Sequence, residues 1–542
     1  MSNERSEDHA VLTAPPMQWD AWGAPEKHKI LSDGIKGLLQ QALGVTIREP
    51  SERAADDVVL APSALSDQQV AALAGIVGEQ FCSTAHSDRL LRSGGKSTLD
   101  LLRRRSTEPQ NAPDAVVTPG TDDEVADVLR YCADHGIAVV PFGGGTSVVG
   151  GLDPVRDRFD AVVSLDLRRF DALIDLDADS GIATLGAGVT GPLAEELLGA
   201  HGFSLGHFPQ SFMFATIGGF AATRSSGQAS AGYGRFEDMV QGLRVVTPTG
   251  TLDTGRAPAS AAGPDLGELF VGSEGTLGVI TRVRVRVHAV PDTTVREGWS
   301  FPDFETGAAA LRALRQEGAV PTVLRLSDEA ETAVNLATTD KIGEETVTGG
   351  CLAITTFEGT AEHTAERTAE ARAVLVAHGG TSLGEAPGNG WEHGRFDAPY
   401  LRDSLLDAGA LCETLETATT WGNLAALRTA VTTALTESLA GQGTPPLVLC
   451  HISHTYPTGA SLYFTVVSAQ AEDPIEQWRK AKTAAGDAII AAGGTITHHH
   501  AVGVDHRPWM RDEIGDLGVA ILRAVKDAVD PAGILNPGKL IP

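Results

Sequence analysis

The chain has 542 residues, 42% apolar and 21% charged, and carries a formal net charge of −28. That length suggests two to four domains, or one large core with additions; the acidity argues against nucleic acid and anionic membrane surfaces as general partners, because the field repels phosphate. No apolar run approaches a membrane span, the first residues, MSNERSEDHA, lack a secretory signal's basic and apolar regions, and five scattered cysteines form no CxxC pair, so a cytoplasmic protein with reduced thiols is expected.

Near the N-terminus, HKILSDGIKGLLQQALG has helical apolar spacing with Gly44 as a stop. LDLLRRRSTEPQNAPD then runs into a polar, proline-containing linker, closing a helical region over 1–110. Residues 94–98, GGKST, lack the upstream glycine of a P-loop because Leu90 holds that place, so Lys96 reads as an ordinary basic residue. From Pro113 the pattern becomes strand, helix, strand, with Thr121 as N-cap and Glu124 as its capping-box partner.

The second of those strands leads into PFGGGTSVVGG, residues 141–151. Its glycines let the backbone turn sharply and approach a ligand. Free N–H groups and the Thr146 and Ser147 hydroxyls then make a concavity suited to a pyrophosphate. Gly143, Gly145 and Asp166 fit a Rossmann fingerprint, but Val148 stands where its third glycine belongs and GGLDPVRDRFD is a poor helix. AVVSLDL, GIATLGAGV, VQGLRVVTPTGTLDT and GVITRVRVRV read as strands. Between them lie two further loops: PQSFMFATIGGFAATRSSG over 209–227 and GSEGTLGVIT over 272–281. Each is weak alone; three Gly/Ser/Thr loops bordering strands within roughly 140 residues point to a nucleotide domain over 111–295. Helices alternating with strands such as LVLCHIS and SLYFTVVSA suggest a second layered domain over 296–500, and the tail over 501–542 is an amphipathic helix stopped by Pro531 and a turn-rich end.

Several side chains invite chemistry. His498, His499 and His500 with His451 and His454 admit a metal reading, a solvated accident, or an acid/base and anion site. Adjacent histidines on a strand would point to opposite faces. Tyr463 alternates with Leu462 and Phe464, as a core strand tyrosine would; Tyr456 lies in the turn HTYPTG; Arg402 beside Asp403 reads as a solvated helix position.

The three glycine loops, in this order and with GYGRFEDMVQGLRVVTPTG after the second, resemble the vanillyl-alcohol-oxidase/PCMH family of FAD-binding flavoproteins. RFDAPYLRD, ETLETATTW, CHISHTYPTGASLYF, ITHHHAVG and DPAGILNPGKL resemble the alkyldihydroxyacetonephosphate synthase family within it, extending the likeness from about residue 20 to the end. The resemblance implies an α+β fold: a PCMH-type FAD-binding domain of two α+β subdomains, an α+β cap (substrate) domain, and a last segment returning to the FAD domain. FAD would be held by Pro141, Phe142, Gly143, Gly144, Gly145, Thr146 and Ser147; by Gln210, Ser211, Thr216, Gly218, Gly219, Thr223, Arg224, Ser225 and Ser226; and by Glu274, Gly275, Thr276, Leu277, Gly278, Val279 and Ile280. It would be non-covalent, since residues 143–147 include neither His nor Cys.

The resemblance further implies a redox-neutral exchange, in which an acyl-dihydroxyacetone phosphate loses its fatty acid and gains a fatty alcohol with flavin N5 as covalent partner. Tyr463 would move the α-proton. Arg402 and the three histidines would hold phosphate and handle leaving-group protons, with Arg325 a second anion contact and no metal. The alternative is a flavin oxidoreductase, a D-2-hydroxy-acid dehydrogenase or alcohol oxidase, with Arg402 gripping a carboxylate. The partner is a small or lipid-like anionic substrate; a homodimer is expected and peripheral membrane contact is left open.

Overall fold

The structure, a computed structural model, describes residues 17–50, 53–106, 108–338 and 350–542. Strands β1 (Cys82–Ser83), β2 (Ala115–Val117), β3 (Ile137–Phe142) and β4 (Ala161–Asp166) form a sheet of order β1-β2-β4-β3. The last three are parallel, and their unbroken Val/Ile/Ala runs suit a sheet buried on both faces. The helix Asp122–His135 links β2 to β3. Thr121 accepts from the Glu124 N–H, as expected, but the Glu124 carboxylate takes the Gly120 N–H, one residue upstream of the expected capping box.

Strands β5 (Leu173–Asp177), β6 (Ile182–Gly186), β7 (Phe203–Ser204), β8 (Val240–Thr247), β9 (Gly250–Asp253), β10 (Val279–Arg286) and β11 (His288–Ala289) follow. β7 pairs with β11, and the other five make an antiparallel sheet of order β5-β6-β10-β8-β9. The third sheet contains β12 (Thr293–Phe301), β13 (Val323–Ser327), β14 (Cys351–Gly359), β15 (Thr381–Ser382), β16 (Ala410–Thr420), β17 (Leu447–Thr455) and β18 (Gly459–Ala469), in the order β15-β12-β14-β13-β17-β18-β16.

That third sheet has two unlike faces. Leu462, Phe464 and Val466 of β18 join the core formed with the helices Phe304–Glu317, Leu424–Gly441 and Pro474–Ala491. Tyr463, one step out of phase, lies on the other face. In register across three strands stand Glu416 of β16, Tyr463 of β18 and His451 of β17.

The chain ends tie the two halves together. The helix Asp33–Leu43, stopped at Gly44 in the left-handed region, contributes Leu39 to a cluster with Leu405, Ala410 and Val467 at the edge of the third sheet. The helix Asp67–Val77 instead packs Leu73 and Val77 onto the first sheet. At the other end, the Val139 N–H donates to Ile534 O and the Asn536 N–H to Val139 O, so the tail lies alongside β3. The helix Met510–Val529 before it is kinked at Gly515. Among the described residues, no helix is long and apolar enough to cross a membrane.

Candidate active site

The three glycine loops converge. A Cβ on Gly144 would stand 2.0 Å from Phe214 O, and one on Gly143 2.4 Å from Thr216 Oγ1, so the first loop lies against the second. Gly275, at φ +72°, would put a Cβ 2.8 Å from Pro141 Cγ, so the third lies against the first. Asn536 bridges these two, donating to Gly151 O (3.1 Å) and Glu274 O (2.7 Å). At Gly144 the glycine is demanded by a neighbouring backbone rather than only by a ligand's approach, as the sequence suggested. Thr216 caps the helix Ile217–Thr223, accepting from the Gly219 N–H.

Two expected cofactor residues use their side chains elsewhere. Arg224 reaches the surface and pairs with Glu237 and Glu268. The Glu274 carboxylate accepts the Val502 and Gly503 N–H groups, each at 2.8 Å. Burial pushes its carboxyl up to about 7 despite those bonds. It thereby fastens the third loop to the segment just after the histidines.

The histidines do not lie on a strand. They sit in a bend whose N–H groups close on one carboxylate: Glu416 accepts from His498 N (2.5 Å), His499 N (3.1 Å) and His500 N (2.8 Å), and from Thr497 Oγ1 (2.7 Å). Two of the rings therefore gather on Tyr463, which stacks on His499 at 5.9 Å and meets His500 edge-on at 5.5 Å, while His498 turns to Tyr456 and His454. On its other side Tyr463 stacks on His451 at 4.9 Å. His451 is held by Glu331, 2.8 Å away, and Arg325 pairs with that same carboxylate. Tyr456 joins as well, its hydroxyl 2.5 Å from His498 Nε2. His454, His498 and His499 bring one nitrogen each within 4.8 Å of one another, but His454 Nδ1 is bonded to Ser230 and His498 Nε2 to Tyr456.

Burial sets the protonation states. It pushes the Tyr463 phenol up to about 12, with Glu413 and Glu416 adding and Thr414 and Arg402 opposing. It lowers His500 to about 3 against the pull of Glu416, and lowers His498 and His499 as well. Burial alone would raise Glu416; the facing histidines and Thr497 hold it well below the usual carboxylate range. At neutral pH the phenol is thus intact and the imidazoles neutral, with the Glu416 carboxylate ionised beneath them.

Arg402 is buried rather than on a solvated face. Its Nε and Nη2 donate to Asp403 Oδ1 (3.1 and 3.0 Å) and its Nη1 to Lys96 O (2.7 Å). A guanidinium has five N–H donors, so two have no partner among the described residues. Lys96, read from sequence as an ordinary base, is itself buried, and its N–H donates to Ser147 O of the first loop at 2.7 Å. Two residues that sequence reasoning missed complete the stitching. Glu416 is one; its signal was an acid inside the apolar strand LCETLETATT. Arg235 is the other, with Nη2 donating both to Arg224 O (2.9 Å) and His498 O (2.7 Å) and so joining the second loop to the histidines.

Residues 113–255 match the family described as FAD binding domain, and residues 290–540 the family described as FAD linked oxidases, C-terminal domain. The buried Gln210 Nε2, Ser273 Oγ and Asn536 Oδ1 lack hydrogen-bond partners among the described residues, which fits loops built to meet a polar cofactor. Fold, loops and matches define the class: an FAD-dependent enzyme of the FAD-linked oxidase type. The chain is 34% identical to an alkyldihydroxyacetonephosphate synthase of Trypanosoma brucei brucei, over 96% of this chain and 88% of that one. It is 36% identical to the Dictyostelium discoideum enzyme of the same name, over 84% and 77%. A solved alkyldihydroxyacetonephosphate synthase superposes with a TM-score of 0.84 at 31% identity, covering 97% of this chain and 99% of that one. The chain belongs to the alkyldihydroxyacetonephosphate synthase family.

Proposed function

We propose that this protein exchanges the acyl group of an acyl-dihydroxyacetone phosphate for a fatty alcohol, forming an ether bond without net oxidation. The observation that carries the reading is the juxtaposition of Tyr463, His499 and His500 with the converged glycine loops, stitched together by Arg235 and Glu274. The residues of the three loops would hold FAD non-covalently, and FAD when bound would supply an electron-poor ring to the chemistry.

The chain's own groups do the rest. The protonated Tyr463 hydroxyl and the neutral imidazoles form a donor–acceptor set that can lift and return an α-proton and protonate the departing carboxylate. The two spare N–H groups of Arg402 fit a phosphate oxygen pair, a fork that lysine does not offer. In a chain of net charge −28, such buried local cations are what makes room for an anionic substrate. Arg325, bound up with Glu331 and His451, orients that histidine more than it offers charge to a ligand.

The test is anaerobic mixing of the FAD-loaded protein with an acyl-dihydroxyacetone phosphate and a labelled long-chain alcohol. Labelled ether should appear in step with released fatty acid, and the flavin should end oxidised. Lasting bleaching by a 2-hydroxy acid, with no ether formed, would replace this reading with the dehydrogenase one.

A further inference from the structure

We infer that Glu416 is the positioning residue of this site: one carboxylate that fixes the histidine-bearing bend against Tyr463. The inference rests on the function proposed above.

Glu416 is fully enclosed, with no exposed side-chain surface, and a buried carboxylate is costly unless its lone pairs are met. Here they are met by four donors from four consecutive residues, Thr497 to His500. Successive N–H groups curling around an anion form a nest, in which the anion and the backbone conformation stabilise each other. The bend holds its shape because the anion is there. The same side chain belongs to the β16 residue paired in register with Tyr463. One residue therefore sets both halves of the contact, the strand position of the phenol and the backbone that carries the imidazoles. Its distances to the rings, 3.7 Å to His499 Nδ1 and 3.9 Å to His500 Nδ1, also put a negative charge where a histidine that takes up a proton would need it.

None of the bonds that gather the flavin loops passes through Glu416. Those are the close backbone approaches at Gly143, Gly144 and Gly275 and the two bonds of Asn536. Loss of the Glu416 charge should therefore separate turnover from cofactor binding, which a general structural role would not do.

The experiment is Glu416→Gln beside Tyr463→Phe in the FAD-loaded protein, reading FAD occupancy, KM for the acyl-dihydroxyacetone phosphate, and kcat. The amide keeps the size but turns an NH2 toward N–H donors. The expected result is full FAD, KM within about threefold, and kcat down by about 10². An unchanged kcat in Glu416→Gln with an inactive Tyr463→Phe would overturn this inference and leave the proposed function standing. An active Tyr463→Phe would remove the reading on which it rests. A kcat loss accompanied by an equal loss of FAD would mean that Glu416 only supports the fold, and would also overturn it. If Glu416→Gln does not fold, Thr497→Val removes one bond to the same carboxylate: a three- to tenfold fall in kcat with FAD retained supports the inference, and wild-type kcat overturns it.

Discussion

The glycine loops and the open face of the third sheet are built on opposite terms. The loops are held by close backbone approach: Gly143, Gly144 and Gly275 stand where any side chain would strike protein atoms. The sheet face is held by buried charge: Glu416 under the histidines, Glu331 behind His451, Asp403 beside Arg402. The first region tolerates no added volume. The second tolerates volume-preserving changes but not the loss of a charge or a proton. The lesson is that cofactor retention and turnover answer to different substitutions.

The largest expected effect breaks the first region. Gly144→Val places a branched side chain against Phe214 O, where even a Cβ would be 2.0 Å away. FAD occupancy should fall below about a tenth, because neither the first nor the second loop can keep its course. A purified variant that stays fully yellow would show that the loops yield where the geometry says they cannot.

Arg402→Lys is a smaller change that probes the seam between the regions. Lysine loses the fork, so KM for a phosphorylated substrate should rise about tenfold or more. Arg402 lies far along the chain from every glycine loop. The structure puts it two hydrogen bonds from Ser147 through the Lys96 backbone, so FAD affinity should fall too, by less than the KM rises. Steady-state kinetics and FAD titration on one preparation check the order. An unchanged KM would return Arg402 to a purely structural pairing with Asp403.

The narrowest effect concerns pH, and it touches stability rather than turnover. Burial raises the Glu274 carboxyl from 4.5 to about 7. A folded-state pKa above the unfolded one means the stabilisation is complete below about pH 4.5 and is lost as pH rises through 7. Glu274→Gln should flatten that part of the Tm profile, a change of about 3 kcal/mol at most. An unaltered slope would mean that the carboxyl ionises freely where it sits.

The same contrast explains what the sequence disclosed. Glycine loops are legible because their constraint is local: a tripeptide that needs no Cβ says so in one dimension. The strand alternation around Tyr463 is local too, but read alone it suggested a core tyrosine, whereas Leu462 and Phe464 take the core face and leave Tyr463 on the other. Glu416 was not legible as an anchor because its donors lie 81 to 84 residues away and three of the four are backbone N–H groups, which no residue type records. Lys96 was misread for the opposite reason: its motif failed as a P-loop, and nothing local says that a failed motif is packed under Ser147. The histidine run was weighed as a strand, whereas Glu416 folds it into a bend.

Tyr463→Phe, read for FAD and turnover in one sample, tests most directly that the loops hold the cofactor while the sheet face does the proton chemistry. Only the hydroxyl is removed, and the ring keeps its stacking on His451 and His499. The account predicts wild-type FAD content and Tm, with kcat lower by about 10² to 10⁴. Near-normal turnover would contradict it, and a dead Tyr456→Phe beside that result would pass the role to the phenol bonded to His498.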